Sequence, residues 1–546
     1  MKNNFLNTLL LSFLMVFQVA LAQDTVKGTV SDDDGQPIPG ATVVLKGTST
    51  ATTADFDGNF SINVGLGDVL VVSYVGYSSA EVTVDSSNLS ITLQSATKLD
   101  EVIVTSYGET SKKKSAASTQ RITSETIENR PNASIIQTLT GQVAGLDIFT
   151  NSGQPGANSL IELRGSNSIN GNTEPLILLD GTPIDEDEFS QLNPNEIESL
   201  DVLKDAGGTA IYGNRGANGV ILIKTKRGEF NSPLKIKVNS SYAVSQYQDS
   251  DYDMMNASEL LAIEKELNRG YGATLTDEEI ANFGPGYDWK DFFYQDGKTE
   301  NHNVTITSGG AKSSQLTSLG YFEQEGITIT TKLQRFNLRN NFNTRSDDGK
   351  FKLASSLSLN FAKTNIRGSE GSSGINRNIQ FGPLYAAPYV LPSDYIDDVS
   401  AFGADKGFNV FQITPLILMD LAKKTVRKDE DIKAIYNLDV SYDLLDNLTF
   451  RSVTGVDYSG INNLYVQPSD QWSAVYFEDA NNAGLAGFQD YDQTNILAIN
   501  QTTSVTWNTT IADDHNISAA GYLEYFKAHY KTCLLYTSPS PRDQSG

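Results

Sequence analysis

The chain of 546 residues carries 66 acids against 41 bases, and its formal charge of −25 repels a phosphate backbone with no long basic stripe to reverse this locally, so nucleic acid is a poor partner. One cysteine, Cys533, and three histidines, His302, His515 and His529, leave almost nothing from which to build a thiolate or imidazole metal centre, and no internal disulfide. The 24 Tyr, 24 Phe and 44 Gly, with abundant Asn, Ser and Thr, suit polar strands and turns better than long helices and predict a mainly β protein.

Residues 1–22, MKNNFLNTLLLSFLMVFQVALA, have a lysine near the start, an apolar centre from Leu9 to Phe17 and small residues at Ala20 and Ala22, the pattern of a signal peptide cleaved before Gln23. That apolar centre is short for a bilayer span. No later run of about 20 apolar residues exists, so the mature chain cannot cross a membrane as helices, whereas a barrel remains open to it. Residues 23–98 alternate short Val, Ile, Thr and Tyr runs with turn signals at Asp34-Gly35, Pro39-Gly40 and Asp57-Gly58, which predicts a small antiparallel sandwich. Gly28 to Val30, PGA at 39–41, DFDGNF at 55–60 and SYVGY at 73–77 resemble the carboxypeptidase regulatory-like domain, a transthyretin-like sandwich. The stretch has no His for a catalytic zinc, and DDDG at 32–35 lacks the ligand spacing of a calcium loop, so it reads as a solvated turn.

LDEVIVTSYG, 99–108, reads as a strand with no turn signal to supply a hairpin partner. Such a segment can add to another protein's sheet edge, or simply join two domains. Over 109–228 the pattern predicts a short helix from Ser134 to near Gly141, strands in SLIELRGSNS and EPLILLDGTPI, an N-cap at Asn193 with Pro194 behind it, a strand around Ser199 to Leu203 and a helical turn from Ala206 to Tyr212. Gly213, Gly216 and Gly219 follow that turn and lead into a strand, Val220 to Lys226. A phosphate-binding loop has the opposite order, strand before long helix, and needs a closing Lys-Ser or Lys-Thr. These glycines instead predict positive φ and close backbone approach.

The ordered set of signal peptide, regulatory-like sandwich, LDEVIVTSYG, ELRGSNS (162–168), PLILLDGTPI (175–184) and LNPNEIESLDVLKDAGGTAIYGNRGANGVILIKTKRG (192–228) resembles SusC/RagA-type TonB-linked outer-membrane proteins. The resemblance implies a TonB box at 99–108, in which Glu101, Val102, Ile103, Val104 and Thr105 bind TonB of the TonB–ExbB–ExbD complex as an added strand. It implies a mixed α/β plug at 109–228, with structural turns at Arg164, Gly165, Asp180, Gly181, Gly213, Arg215, Gly216 and Gly219, and the first part of a transmembrane antiparallel barrel at 229–532. It also implies a SusD-like surface lipoprotein, contact with outer-membrane lipid, a glycan or peptide substrate, no cofactor and no enzymatic activity.

Strict alternation supports strands in FKLASSLSLNF (Phe351, Leu353, Leu357, Leu359 and Phe361 against Lys352, Ser356, Ser358 and Asn360), IYNLDVSYDLL and LAINQTTSVTWNTTI. Period two alone fits a soluble sandwich as well. Residues 251–298 read as helical and loop-like. About eight to ten strands fall between about 235 and 532 against about 22 for the large outer-membrane transporters, so the chain reads as an incomplete barrel. CLLYTSPSPRDQSG, 533–546, loses the alternation and reads as a non-native tail. Two rival readings are a secreted or surface adhesin without transport, and a hydrolase using the acids Asp185 to Glu188. Adjacent acids in a loop do not flank a scissile bond, so a solvated acidic loop is the simpler reading of that run.

Overall fold

The computed structural model describes residues 25–537 apart from several segments, the longest being 94–101, 112–118, 129–134, 366–377, 403–407 and 473–486. The signal segment, Glu101 and residues 538–546 lie outside the described residues. The chain forms two compact units, one drawn chiefly from the residues before 104 and one from those after 115.

In the first unit β1 (Thr25–Ser31), β4 (Asn59–Asn63) and β7 (Asn88–Thr92) form one sheet, and β2 (Thr42–Leu45), β3 (Ala51–Thr53), β5 (Val69–Ser73) and β6 (Ala80–Thr83) the other. Alternate residues, among them Val26, Val30, Phe60, Ile62, Leu70, Val72 and Ile91, point into a shared core. One pairing departs from the antiparallel expectation: β1 and β7 run parallel, which places β1 between β4 and β7. Gly28 is required there, because a Cβ would lie 2.5 Å from the Leu89 carbonyl oxygen. The acidic turns behave as turns. Asp32 accepts from Gln36 N–H at 2.8 Å, and Asp55 accepts from the N–H groups of Asp57 and Asn59.

Val102–Thr105 is a strand, β8, but not a lone one: it forms a two-stranded sheet with β9 (Gly108–Ser111). The expectation that this strand has no hairpin partner is therefore corrected. The backbone groups of an extended segment are satisfied by the next extended residues in the chain even without a Gly-rich turn.

The second unit has an inner part and a wall. The inner part carries the mixed sheet β10 (Thr119–Thr123), β15 (Ile197–Leu203), β16 (Val220–Thr225), β13 (Leu176–Leu179) and β14 (Thr182–Ile184), in that order, with β11 (Leu146–Thr150) paired to β12 (Ser159–Leu163). Short helices α1 (Ser124–Glu128), α2 (Ile135–Leu139), α3 (Glu186–Gln191) and α4 (Ala206–Thr209) cover it. β16 is central and buried on both faces, as its unbroken Val-Ile-Leu-Ile run requires.

The wall is one antiparallel sheet in chain order: β17 (Lys235–Ser245), β18 (Gly297–Gly309), β19 (Ser313–Glu325), β20 (Lys332–Arg345), β21 (Phe351–Asn365), β22 (Val426–Leu445), β23 (Leu448–Gln467), β24 (Phe488–Ile511) and β25 (His515–Thr537). Its polarity is inverted relative to a soluble sheet. Along β21, Phe361 is 44% exposed while Ser358 on the opposite face is 2% exposed, and Leu359 and Asn360 repeat the contrast. Cross-strand register aligns the apolar side chains, Tyr321 with Phe336, Phe336 with Phe361 and Phe361 with Ile432, into a band, the arrangement of a wall whose outer solvent is hydrocarbon. β25 runs on through Cys533 to Thr537, paired with Gln489–Gln493, so the expected end of the strand at 532 is corrected: β24 begins at Phe488 and offers backbone groups that any sequence can pair.

Connections at one end of the wall are short, 310–312, 346–350, 446–447 and 512–514, whereas 246–296, 366–425 and 468–487 leave from the other. There α5 (Ala257–Glu266), α6 (Asp277–Phe283), α7 (Lys290–Phe293), α8 (Gly382–Tyr385) and α9 (Thr414–Lys424) build a separate core around Trp289, Phe293, Leu416 and Trp472. The 251–298 segment is thus helical as read.

Candidate functional site

The described structure brings some of the predicted turn residues, Asp180 and Arg215 among them, to a seam between the inner part and the inward, polar face of the wall. Asp180-Gly181 joins β13 to β14 with φ of 48° and 91°, the two-residue turn that Asp-Gly favours. The turn aims the Asp180 carboxylate at Thr225, which donates its N–H at 3.1 Å and its hydroxyl at 2.7 Å. Arg339 of β20, 1% exposed, donates Nε to Glu196 at 2.7 Å and holds Nη1 3.8 Å from Asp180. Asn341, two residues on and on the same face, donates to the Thr225 hydroxyl at 3.0 Å and to the Lys226 carbonyl at 2.6 Å. A buried cation set against two carboxylates, with Asn341 bonded beside it, forms a specific lock that is costly to half-break.

The second contact is the acidic run, and here the solvated-loop reading fails. Asp185 caps α3, accepting from Glu188 N–H at 2.6 Å, and its other partner is Lys433 of β22, 1% exposed, at 3.2 Å. The spacing Asp185-x-x-Glu188 is a helix-start signature that the sequence did contain. Glu188 is fully buried, and neither carboxylate oxygen has a hydrogen-bond partner among the described residues. Burial first, and then the Asp457 carboxylate, push it well above the usual carboxylate range. Glu186 is raised to about 7, by burial and then by Glu174. Thr182 donates to Asn437, Asn437 donates to the Leu179 carbonyl at 3.3 Å, and Ile435 between these wall residues joins the apolar core of the inner part.

The glycine run does structural work. Gly213 and Gly219 take φ of 56° and 96°, and a Cβ on Gly216 would lie 2.9 Å from the Thr209 carbonyl oxygen and 2.9 Å from Tyr212 Cβ. The run delivers β16 between β13 and β15, and carries Arg215 to Glu524 of β25 at 2.9 Å and over the Phe526 ring at 5.2 Å. Arg164 and Gly165, with φ of 63° and 82°, form a turn whose ion pair, Arg164 with Asp205, stays inside the inner part. Asp180 and Arg215 therefore reach the wall, and Arg164 does not. Arg339, Lys433, Asn341 and Asn437 were legible only as members of a polar strand face. Val102–Thr105 lie in β8, away from any of these residues in sequence.

Residues 111–220 match the TonB-dependent Receptor Plug Domain and residues 26–104 the CarboxypepD_reg-like domain. A TonB-dependent receptor of Formosa agariphila is 30% identical over 511 residues, 93% of this chain and 49% of that protein. The TonB-dependent receptor SusC of Bacteroides thetaiotaomicron is 36% identical over 348 residues, 61% of this chain and 34% of that protein. Among solved structures, the RagAB peptide importer in its open-open state aligns with a TM-score of 0.68 at 24% identity, covering 82% of this chain and 51% of that one, a likeness of fold. The chain spans about half the length, or less, of the curated relatives it matches.

Proposed function

Because this chain belongs to the SusC/RagA type of TonB-dependent receptors, we propose that it acts in the outer membrane as a receptor that imports a large nutrient, an oligosaccharide or a peptide, without making or breaking a covalent bond. The observation that carries this reading is the inverted wall, apolar where exposed and ion-paired to a compact plug where buried. An adhesin in water has no use for such an outer face.

In this reading TonB, driven by the TonB–ExbB–ExbD complex, takes Glu101, Val102, Ile103, Val104 and Thr105 as an added strand and pulls the plug. β9 occupies one edge of β8, and a two-stranded ribbon is marginal on its own, so TonB adds at the other edge or replaces β9. A SusD-like surface lipoprotein covers the end that carries the long excursions. The domain limits are proposed as 1–22 signal peptide, 23–98 sandwich, 99–108 TonB box, 109–228 plug and, from 229, barrel strands of which the last runs past 532 to Thr537. Both substrate classes, peptide and glycan, are what the resemblance to the SusC/RagA type implies. Deleting Glu101 to Thr105 in the full-length receptor should abolish uptake of the nutrient while surface binding survives. Unchanged uptake overturns the assignment.

A further inference from the structure

The wall's inward face is built in cross-strand rows, and two of those rows are interrupted where the plug comes nearest. One row runs Asn303, Gly320, Asn337, Asn360, Lys433 and Ser459 across β18 to β23. The other runs Asn341, Ser356, Asn437, Gly455 and Asn500 across β20 to β24. Every other member of these rows carries a polar side chain buried against the plug side, and the two glycines have none. Glycine inside a strand lowers its stability and marks close approach of another group. At Gly320 a Cβ would lie 2.6 Å from Nδ2 of Asn193, the plug residue that caps the turn before β15. At Gly455 a Cβ would overlap the Thr182 side chain, with the Thr182 Cβ itself 2.9 Å away. Thr182 is also the residue that donates to Asn437, next to Gly455 in the same row.

We propose that Gly320 and Gly455 are positioning residues of transport: two bare patches of wall, on strands β19 and β23, into which Asn193 and Thr182 fit so that the resting plug closes the pore. The inference rests on the plug reading above. A methyl group at either patch holds the plug off the wall, and overpacking of this kind shifts the seated fraction by roughly tenfold or more. Leakage of small solutes through the unenergised receptor reports that shift directly.

The test uses the full-length receptor reconstituted in planar bilayers without TonB and without substrate. Gly320→Ala and Gly455→Ala should each raise the passive conductance roughly tenfold. Gly521→Ala, at a wall glycine whose added Cβ meets nothing within 4 Å, should leave it unchanged. Relief should be matched: Thr182→Gly combined with Gly455→Ala leaks no more than Thr182→Gly alone, Asn193→Ala does the same for Gly320→Ala, and the crossed pairs give no relief. If a wall variant fails to insert, Thr182→Leu crowds the Gly455 patch from the plug side with the strands untouched, and it must leak. Inserted variants with wild-type conductance, a sealed Thr182→Leu receptor, or crossed pairs that relieve equally well each overturn the proposal. The leak needs no energy coupling, so loss of the TonB assignment leaves this result standing, and a sealed Gly455→Ala receptor leaves the TonB assignment standing.

Discussion

At Arg339 a guanidinium is held out of water between Glu196 and Asp180, so its removal leaves the buried Glu196 carboxylate without its cation and takes one of two cations from Asp180. Arg339→Ala should weaken docking of the plug by about 3–5 kcal/mol, and Arg339→Lys should recover only part of it because an ammonium cannot span both partners as a fork does. Urea unfolding of the full-length receptor, followed by protease access to the plug, measures both. Glu186 is set to respond to pH in the opposite sense from a salt-bridged acid. Its ordinary value is 4.5 and in the folded chain it rises to about 7, so its contribution to the folded plug is complete below about 4.5 and is lost as pH climbs through about 7. Plug stability should therefore fall between about pH 5 and about pH 8, and Glu186→Gln should flatten that fall. Glu188, also held above its usual range, acts in the same direction. Asp180 could be read from the chain as a turn because Asp-Gly encodes the needed backbone. Its second role could not, because Arg339 and Glu196 stand 143 residues apart and no local pattern links them.

Among elements, β16 shows what a glycine run can announce. Gly219 combines φ of 96° with the Leu163 side chain pressed against the place of its missing Cβ. Gly219→Ala should destabilise the plug by more than about 1 kcal/mol, read as a lower melting temperature of the receptor with its barrel unfolding unchanged. The direction of chain, helical turn first and strand second, was enough to set aside a phosphate loop. Other elements were harder. The pairing of β8 with β9 was missed because only Ser106-Tyr107 separates them, without the Asn-Gly or Asp-Gly that advertises a hairpin. α3 was missed because four successive acids look solvated until Lys433 is brought to them by folding. The alternating faces of β21, β22 and β24 were plain, since period two is a property of the strand itself.

For the molecule as a whole, that same period could not say which face meets which solvent; the burial of Ser358, Asn360 and Asn437 and the exposure of Leu359, Phe361 and Tyr436 do. Phe361→Lys should accordingly cost about 2–4 kcal/mol when the receptor is folded into vesicles if the residue lies near the bilayer midplane, and much less in a thick detergent belt that lets the ammonium reach water. Equilibrium unfolding in both media separates the cases. The wall's order has one more consequence. Each strand meets the one made just before it, so the wall can zip up hairpin by hairpin, whereas Asp185 finds Lys433 across 248 residues and Arg215 finds Glu524 across 309. Long closures are slow. The stopper is thus synthesised first and captured last, and through most of assembly it waits as a passenger for the vessel being built around it.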